Sequence, residues 1–158
     1  MRHTKIIFDL FRLLCERVGK QISYNKIGNI LGIDHQTVSL YIQYFTNSYL
    51  FYEIERKGKV NQRIKSNKKI YCSDIGLRNN ITGIRDLGAI YENLVFNHIK
   101  QHKPYFIYEQ GYEIDFAYQD TLIEAKYGQL LEGEQKELFD NLKYKNKIIA
   151  NDHRFFLC

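Results

Sequence analysis

Glu113-Ile-Asp115-Phe-Ala-Tyr118-Gln-Asp-Thr-Leu-Ile-Glu124-Ala-Lys126 is the stretch on which this chain turns. Polar and apolar residues alternate from Glu113 to Tyr118, with Ile114, Phe116 and Tyr118 on one face. The alternation resumes from Leu122 to Tyr127, with Ile123, Ala125 and Tyr127 on one face and Glu124 and Lys126 on the other. A period of two is the signature of strands, so two short strands fold back on each other here. A loop of two residues (Gln119-Asp120) or of four (Tyr118 to Thr121) gives one and the same pairing. Asp115 then lies opposite Glu124, and Glu113 opposite Lys126, all on one face. A loop of three or five residues would slip that register. Two carboxylates opposed across a hairpin repel each other. A metal, a lysine or solvent must resolve the conflict.

The 158 residues suffice for one ordinary domain or two very small ones. With 44% hydrophobic and 26% charged residues the composition is that of a globular protein, not a disordered one. No apolar run is long enough to cross a membrane, and the first residues do not resemble a signal peptide, so a cytoplasmic protein without a membrane partner is expected. Cys15, Cys72 and Cys158 lack metal-ligand spacing and fit a reducing compartment, without disulfides or zinc. Charge is uneven along the chain. Residues 1–83 hold 14 Lys/Arg against 6 Asp/Glu, whereas residues 84–158 hold 9 against 12. The asymmetry predicts two modules, 1–83 and 84–158, the first suited to a polyanion.

In the first module, Thr4 to Val18 carries an apolar stripe (Ile6, Ile7, Leu10, Leu13, Leu14, Val18) and reads as an amphipathic helix. Ser23 can cap a second helix, Tyr24 to Leu31, which Gly32 ends. Asp34 can cap a third, about His35 to Asn47, with Val38, Tyr41, Ile42 and Phe45 inward. A short helix, a glycine turn and a longer helix form a helix-turn-helix pattern. Tyr49 to Ile54 and Ile70 to Cys72 read as strands. Between them lie Arg56, Lys57, Lys59, Arg63, Lys65, Lys68 and Lys69, the layout of a winged helix with a basic hairpin wing. His35, Gln36, Ser39 and Gln43 on the outward face of the third helix could meet bases, while Lys57, Lys59, Arg63, Lys65, Lys68 and Lys69 meet phosphate. Winged helices also serve as protein-contact or structural modules, and that alternative stays open.

Asn79 to Arg85 reads as a connector. A helix follows from about Asp86 to His102, ending before Pro104. On it Glu92 falls in the stripe of Val95, Phe96 and Ile99, where a carboxylate is costly unless paired or at the stripe's edge. Tyr105 to Tyr108 is a short strand, the hairpin supplies two more, Glu132 to Leu142 is a helix, and Lys147 to Ala150 and Phe155 to Leu157 are the last strand-like pieces. The second module is small for an independent core, so packing of the two against each other is expected.

The order helix, three strands, helix, strand, with Glu92 on the first helix, Asp115 on the second strand and Glu124-Ala-Lys126 on the third, resembles the PD-(D/E)XK nuclease superfamily. A longer series covers most of the chain: Ile33-Asp-His-Gln-Thr-Val-Ser-Leu-Tyr41, Tyr49-Leu-Phe51, Lys68-Lys-Ile-Tyr-Cys-Ser-Asp-Ile-Gly-Leu77, Tyr91-Glu-Asn-Leu-Val95, Glu113-Ile-Asp-Phe116 and Ile123-Glu-Ala-Lys126. It is similar to the carboxyl-terminal part of a group of prokaryotic AAA-type ATPases. There an ATPase domain is followed by a winged helix and a domain of unknown function with a PD-(D/E)XK-like, restriction-endonuclease-like αβββαβ fold. The chain has no G-x-x-x-x-G-K-[ST] motif, so ATP binding in that group's manner is not expected. Tyr108-Glu-Gln-Gly-Tyr112 also lacks the arginine often found before the equivalent of Glu113.

The resemblance implies an α+β protein with a metal-dependent DNA nuclease site. Asp115 and Glu124 would hold Mg²⁺ or Mn²⁺, aided by Glu92, and Lys126 would orient the attacking water or stabilise charge on the phosphate. Glu113 would set the position of Lys126, and Gln129 or Gln135 would touch substrate. The alternatives are a non-catalytic DNA-binding or regulatory module with a degenerate nuclease fold, and an interaction domain that docks on an AAA-type ATPase. None of these readings sets an oligomeric state.

Overall fold

The computed structural model describes residues 2–157; Cys158 lies outside them. The protein is a mixed α+β chain that divides into two compact units. One comprises Met1–Glu53 with Asn67–Arg85, and the other Ile54–Ser66 with Asp86–Cys158. The stretch Ile54–Ser66, expected in the first module, therefore belongs to the second unit.

Up to the start of the second stretch of that unit the order is α1 (Arg2–Glu16), β1 (Gln21–Ile22), α2 (Tyr24–Leu31), α3 (His35–Asn47), β2 (Phe51–Ile54), α4 (Val60–Lys65), β3 (Lys68–Cys72) and α5 (Ile75–Thr82). In the first unit the helix ends follow from local hydrogen bonding. The Ser23 hydroxyl accepts from the Lys26 N–H at 3.4 Å, and Asp34 accepts both the N–H and the hydroxyl of Thr37, at 2.9 and 2.6 Å. Gly32 closes α2 at φ 66°, the left-handed region that glycine enters without cost. A Cβ on Gly28 would stand 2.5 Å from the Ile33 carbonyl oxygen, so the chain can turn tightly from α2 towards α3 only over a glycine. Leu10, Leu14, Val18, Ile22, Ile27, Val38, Ile42, Phe51 and Ile70 form the core, with Phe11 edge-on to Phe45 and Phe51. The three strands pair in the order β1-β3-β2. Cys15 and Cys72 are buried free thiols; a hydrogen bond to Cys72, then burial, holds the Cys15 thiol well above the ordinary cysteine range.

The second unit continues with α6 (Leu87–Ile99), β4 (Tyr105–Glu109), β5 (Tyr112–Tyr118), β6 (Thr121–Ala125), α7 (Gly133–Asn141) and β7 (Asn146–Ala150). Lys100–His102 extends α6 as a 3₁₀ turn, and a second 3₁₀ turn covers His153–Leu157, where a strand was expected. The sheet order is β4-β5-β6-β7, antiparallel except for the parallel β6–β7 pair. One face carries Phe116, which packs on Phe96 of α6 with ring centroids 6.2 Å apart. Leu138 and Phe139 of α7 share a second core cluster with Ile107, Ile114, Ala117 and Leu122.

The segment expected to be a basic wing is held differently. The Lys57 N–H donates to the Phe106 carbonyl at 2.7 Å and the Phe106 N–H donates to Glu55 at 3.0 Å, so the chain runs beside β4 in a parallel bridge. Several of its cations make contacts within the protein. The Lys57 ammonium donates to the Tyr144 hydroxyl at 2.7 Å, lies 4.9 Å from that ring's centroid, and is pushed up in pKa chiefly by this hydrogen bond. Arg56 lies over the Tyr108 ring, Arg63 pairs with Glu55, and Lys68 stands 3.8 Å from Glu53. Lys69 is fully buried, its ammonium 5.8 Å from the Tyr71 ring centroid, beyond reach of a phosphate. Lys57, Lys59, Arg63 and Lys65 are exposed. Lys57→Ala is accordingly expected to lower stability by about 1 kcal/mol while leaving nucleic-acid affinity within twofold. Urea unfolding and a binding titration on one preparation check both, and an affinity loss without a stability loss would restore the wing assignment.

Candidate active site

The hairpin adopts the derived register. Tyr118 pairs with Thr121, Ala117 with Leu122 and Phe116 with Ile123 around the two-residue turn Gln119-Asp120, and continuing the same register sets Asp115 opposite Glu124. Gln119 takes φ 46° to make that turn.

At the carboxylate pair the side chains replace part of the regular ladder. The Asp115 N–H donates to Glu124 Oε2 at 3.1 Å, and the Ala125 N–H donates to Asp115 Oδ2 at 3.0 Å. Each carboxylate is thus anchored on the backbone of the strand opposite. Both are buried, Asp115 at 7% exposure and Glu124 at 1%, which removes solvent as the means of separating their charges. Burial first, and the adjacent Asp115 charge second, raise the Glu124 pKa to about 8 against the lowering influence of Lys126.

Lys126 is fixed by two contacts. Its ammonium lies 3.1 Å from Glu124 Oε1 and donates to Gln135 Oε1 at 3.1 Å. The Gln135 amide in turn donates to Glu124 Oε1 at 2.8 Å and to the Glu113 backbone carbonyl at 2.7 Å. Gln135, from the first turn of α7, is therefore bonded directly into the cluster of Glu124 and Lys126. Sequence reading placed Gln135 near substrate but not on Lys126 and Glu124, because α7 returns to the hairpin through the packing of Leu138 and Phe139.

These groups line a cleft of about 460 Å³ together with Leu87, Gly88, Glu92, Tyr127 and Gln129. Glu92 is half-buried at its wall. Among the described residues no three His, Cys, Asp or Glu side chains are grouped so as to hold a metal ion. Glu92, expected to aid a metal as a ligand or through a bound water, lines the cleft with Asp115 and Glu124. In the first unit His35, Gln36, Ser39 and Gln43 of α3 are exposed, and Leu40 and Tyr44 are exposed beside them.

Fold and site together define the class: an α+β protein of two units, one of which holds a buried carboxylate pair with a lysine at an open cleft. A family model, Domain of unknown function (DUF8612), matches residues 2–88, more than half of the chain, and the chain belongs to that family. The match ends ahead of Asp115, Glu124 and Lys126. No curated protein and no solved structure matches the chain. Among the described residues no helix is long and apolar enough to cross a membrane.

Proposed function

We propose that the second unit is a metal-dependent phosphodiesterase acting on nucleic acid, a PD-(D/E)XK nuclease site preceded by a winged helix that binds DNA. The observation that carries this reading is the Asp115–Glu124 pair, buried side by side with Lys126 two residues on, in a cleft that Glu92 and Glu113 also line. Two acidic side chains buried side by side are unfavourable as a pair of anions, and a bound cation relieves that repulsion. The donor set fits Mg²⁺ or Mn²⁺, because such ions bind through one or two carboxylates and complete their shell with water and substrate phosphate. Asp115 and Glu124 would hold the ion. When bound, it supplies polarisation of the phosphate and a water of lowered pKa.

The remaining chemistry belongs to the chain. Lys126 offers N–H donors to the charge that develops on the phosphate oxygens, or to the attacking water. Gln135 holds that ammonium in place through the 3.1 Å contact. The order α1-β1-α2-α3-β2-α4-β3 with sheet order β1-β3-β2 supports the winged-helix assignment, with the short α4 between the last two strands and α3 as the base-facing helix. Lys59 and Lys65 are the wing cations assigned to phosphate; Lys57 and Arg63 are exposed as well but also bond Tyr144 and Glu55, Lys68 is half-buried beside Glu53, and the role expected of Lys69 does not suit its burial. Association with an AAA-type ATPase and a cytoplasmic location belong to the same reading.

Single-stranded, duplex and branched DNA incubated with Mg²⁺ or Mn²⁺ provide the test. Cleavage that chelation stops, and that falls about 100-fold or more in Asp115→Ala and Lys126→Ala, is the expected result. A second reading has an observation of its own: the Asp115 N–H, Gln135 and Lys126 already satisfy Glu124. No cleavage of any substrate, or cleavage untouched by these substitutions, would establish the site as a structural network in a non-catalytic DNA-binding or interaction module.

A further inference from the structure

Beside the carboxylates, the cleft has an apolar rim that hydrolysis does not need. Tyr127, the residue after Lys126, lines it with 51% of its surface exposed. Its exposure is shared by other surface residues; what sets this ring apart is its place in the cleft beside Lys126, where a ligand could cover its apolar face. The ring is also held from behind. Tyr91 of α6 packs against it with centroids 5.6 Å apart, Phe156 packs edge-on to Tyr91 at 5.9 Å, and the Tyr91 hydroxyl donates to the Asp152 carbonyl at 2.8 Å. Leu87, also exposed, lines the same cleft. The result is a braced aromatic surface at the mouth of a phosphate-directed site.

We infer that Tyr127 is a stacking platform for an unpaired nucleobase next to the phosphate held at Asp115, Glu124 and Lys126, so that the substrate class is single-stranded nucleic acid or a frayed end. The inference rests on the nuclease reading for the placement of the phosphate. Inside a duplex both faces of a base are covered by its neighbours, and only an unpaired, terminal or extruded base can offer a face to a protein ring. Stacking on an aromatic side chain is tolerant of base identity, so the platform selects strand state rather than sequence. Bracing by Tyr91 reduces the freedom the ring loses on binding.

The test uses the full chain and a fluorescently labelled single-stranded tetranucleotide, short enough to limit binding by other basic surfaces. The same tetranucleotide as an abasic sugar-phosphate strand and a blunt duplex serve as comparisons, with binding read by anisotropy in Ca²⁺ and in EDTA. Tyr127→Ala is expected to weaken the base-bearing strand about 10- to 100-fold and the abasic strand less than twofold, while Tyr127→Phe retains wild-type affinity. Unchanged binding in Tyr127→Ala, or an equal loss for base-bearing and abasic strands, would overturn the platform. Cleavage by wild type with Asp115→Ala as control is measured separately. Cutting that depends on Asp115 without base-dependent binding at Tyr127 refutes the platform alone. Base-dependent binding without cutting supports the platform and refutes the nuclease reading.

Discussion

Arg78→Ala is expected to lower the stability of the first unit by about 3 kcal/mol or more. Arg78 is 3% exposed, and its guanidinium is spread over four acceptors. Nε donates to the Cys15 carbonyl at 3.3 Å, and Nη1 donates to Asn79 Oδ1 at 3.0 Å, the Gly83 carbonyl at 3.3 Å and the Arg85 carbonyl at 3.0 Å. One side chain thus joins the end of α1 to the end of α5 and the turn that follows. Truncation leaves the buried Cys15 carbonyl and three partly buried acceptors without this donor, a larger penalty than the net worth of the bonds removed. Arg78→Lys should recover less than half of the loss, because an ammonium cannot reach divergent acceptors as a planar fork does. Urea unfolding at unchanged m-value measures both. A loss below about 1 kcal/mol, or full recovery with lysine, would show the fork to be dispensable.

The same residue explains where the sequence was legible and where it was not. Helices α2 and α3 could be bounded by inspection because Ser23, Gly32 and Asp34 act on residues no more than four positions away. The Asp115–Glu124 pairing was likewise readable, since a two-residue turn and a period of two determine the rest of the ladder. Helix α5 was not. Asn79, Asn80 and Gly83 look like a connector, and what holds the segment is Arg78 reaching Cys15, 63 positions away. Strand β1, two residues long, is too short for alternation to register. The basic run after β2 was read by composition alone, which cannot reveal that Phe106 would pair with its backbone or that Tyr144 and Glu55 would take up its charges. At the site, residues on the hairpin itself were found from spacing, while Gln135 and Tyr127 owe their importance to α7 and Tyr91 folding onto it. Local chemistry was visible in the order of residues; whatever depended on a distant partner was not.

The strongest pH dependence should come from Glu124. Its pKa is raised to about 8 from an ordinary 4.5, so the folded protein favours the protonated acid. The sign follows: this group's stabilising contribution is complete below 4.5 and is lost as pH rises through about 8. Between pH 5 and pH 9 the metal-free protein is expected to lose on the order of 3 kcal/mol through this residue. Glu124→Gln keeps the shape and the acceptor for the Asp115 N–H but carries no charge, so its stability should exceed that of wild type above pH 8 and approach it near pH 5. Lys126→Met removes the cation that lowers the Glu124 pKa and should steepen the wild-type decline. Mg²⁺ added at pH 8.5 should stabilise wild type, whose carboxylate pair is then open to a cation, and should leave Glu124→Gln and Asp115→Asn nearly unchanged. Urea midpoints for the four proteins across pH 5–9, with and without Mg²⁺, decide the matter. Parallel pH curves for wild type and Glu124→Gln would mean that Glu124 does not carry the strain assigned to it. A Mg²⁺ response that survives both substitutions would place the ion elsewhere.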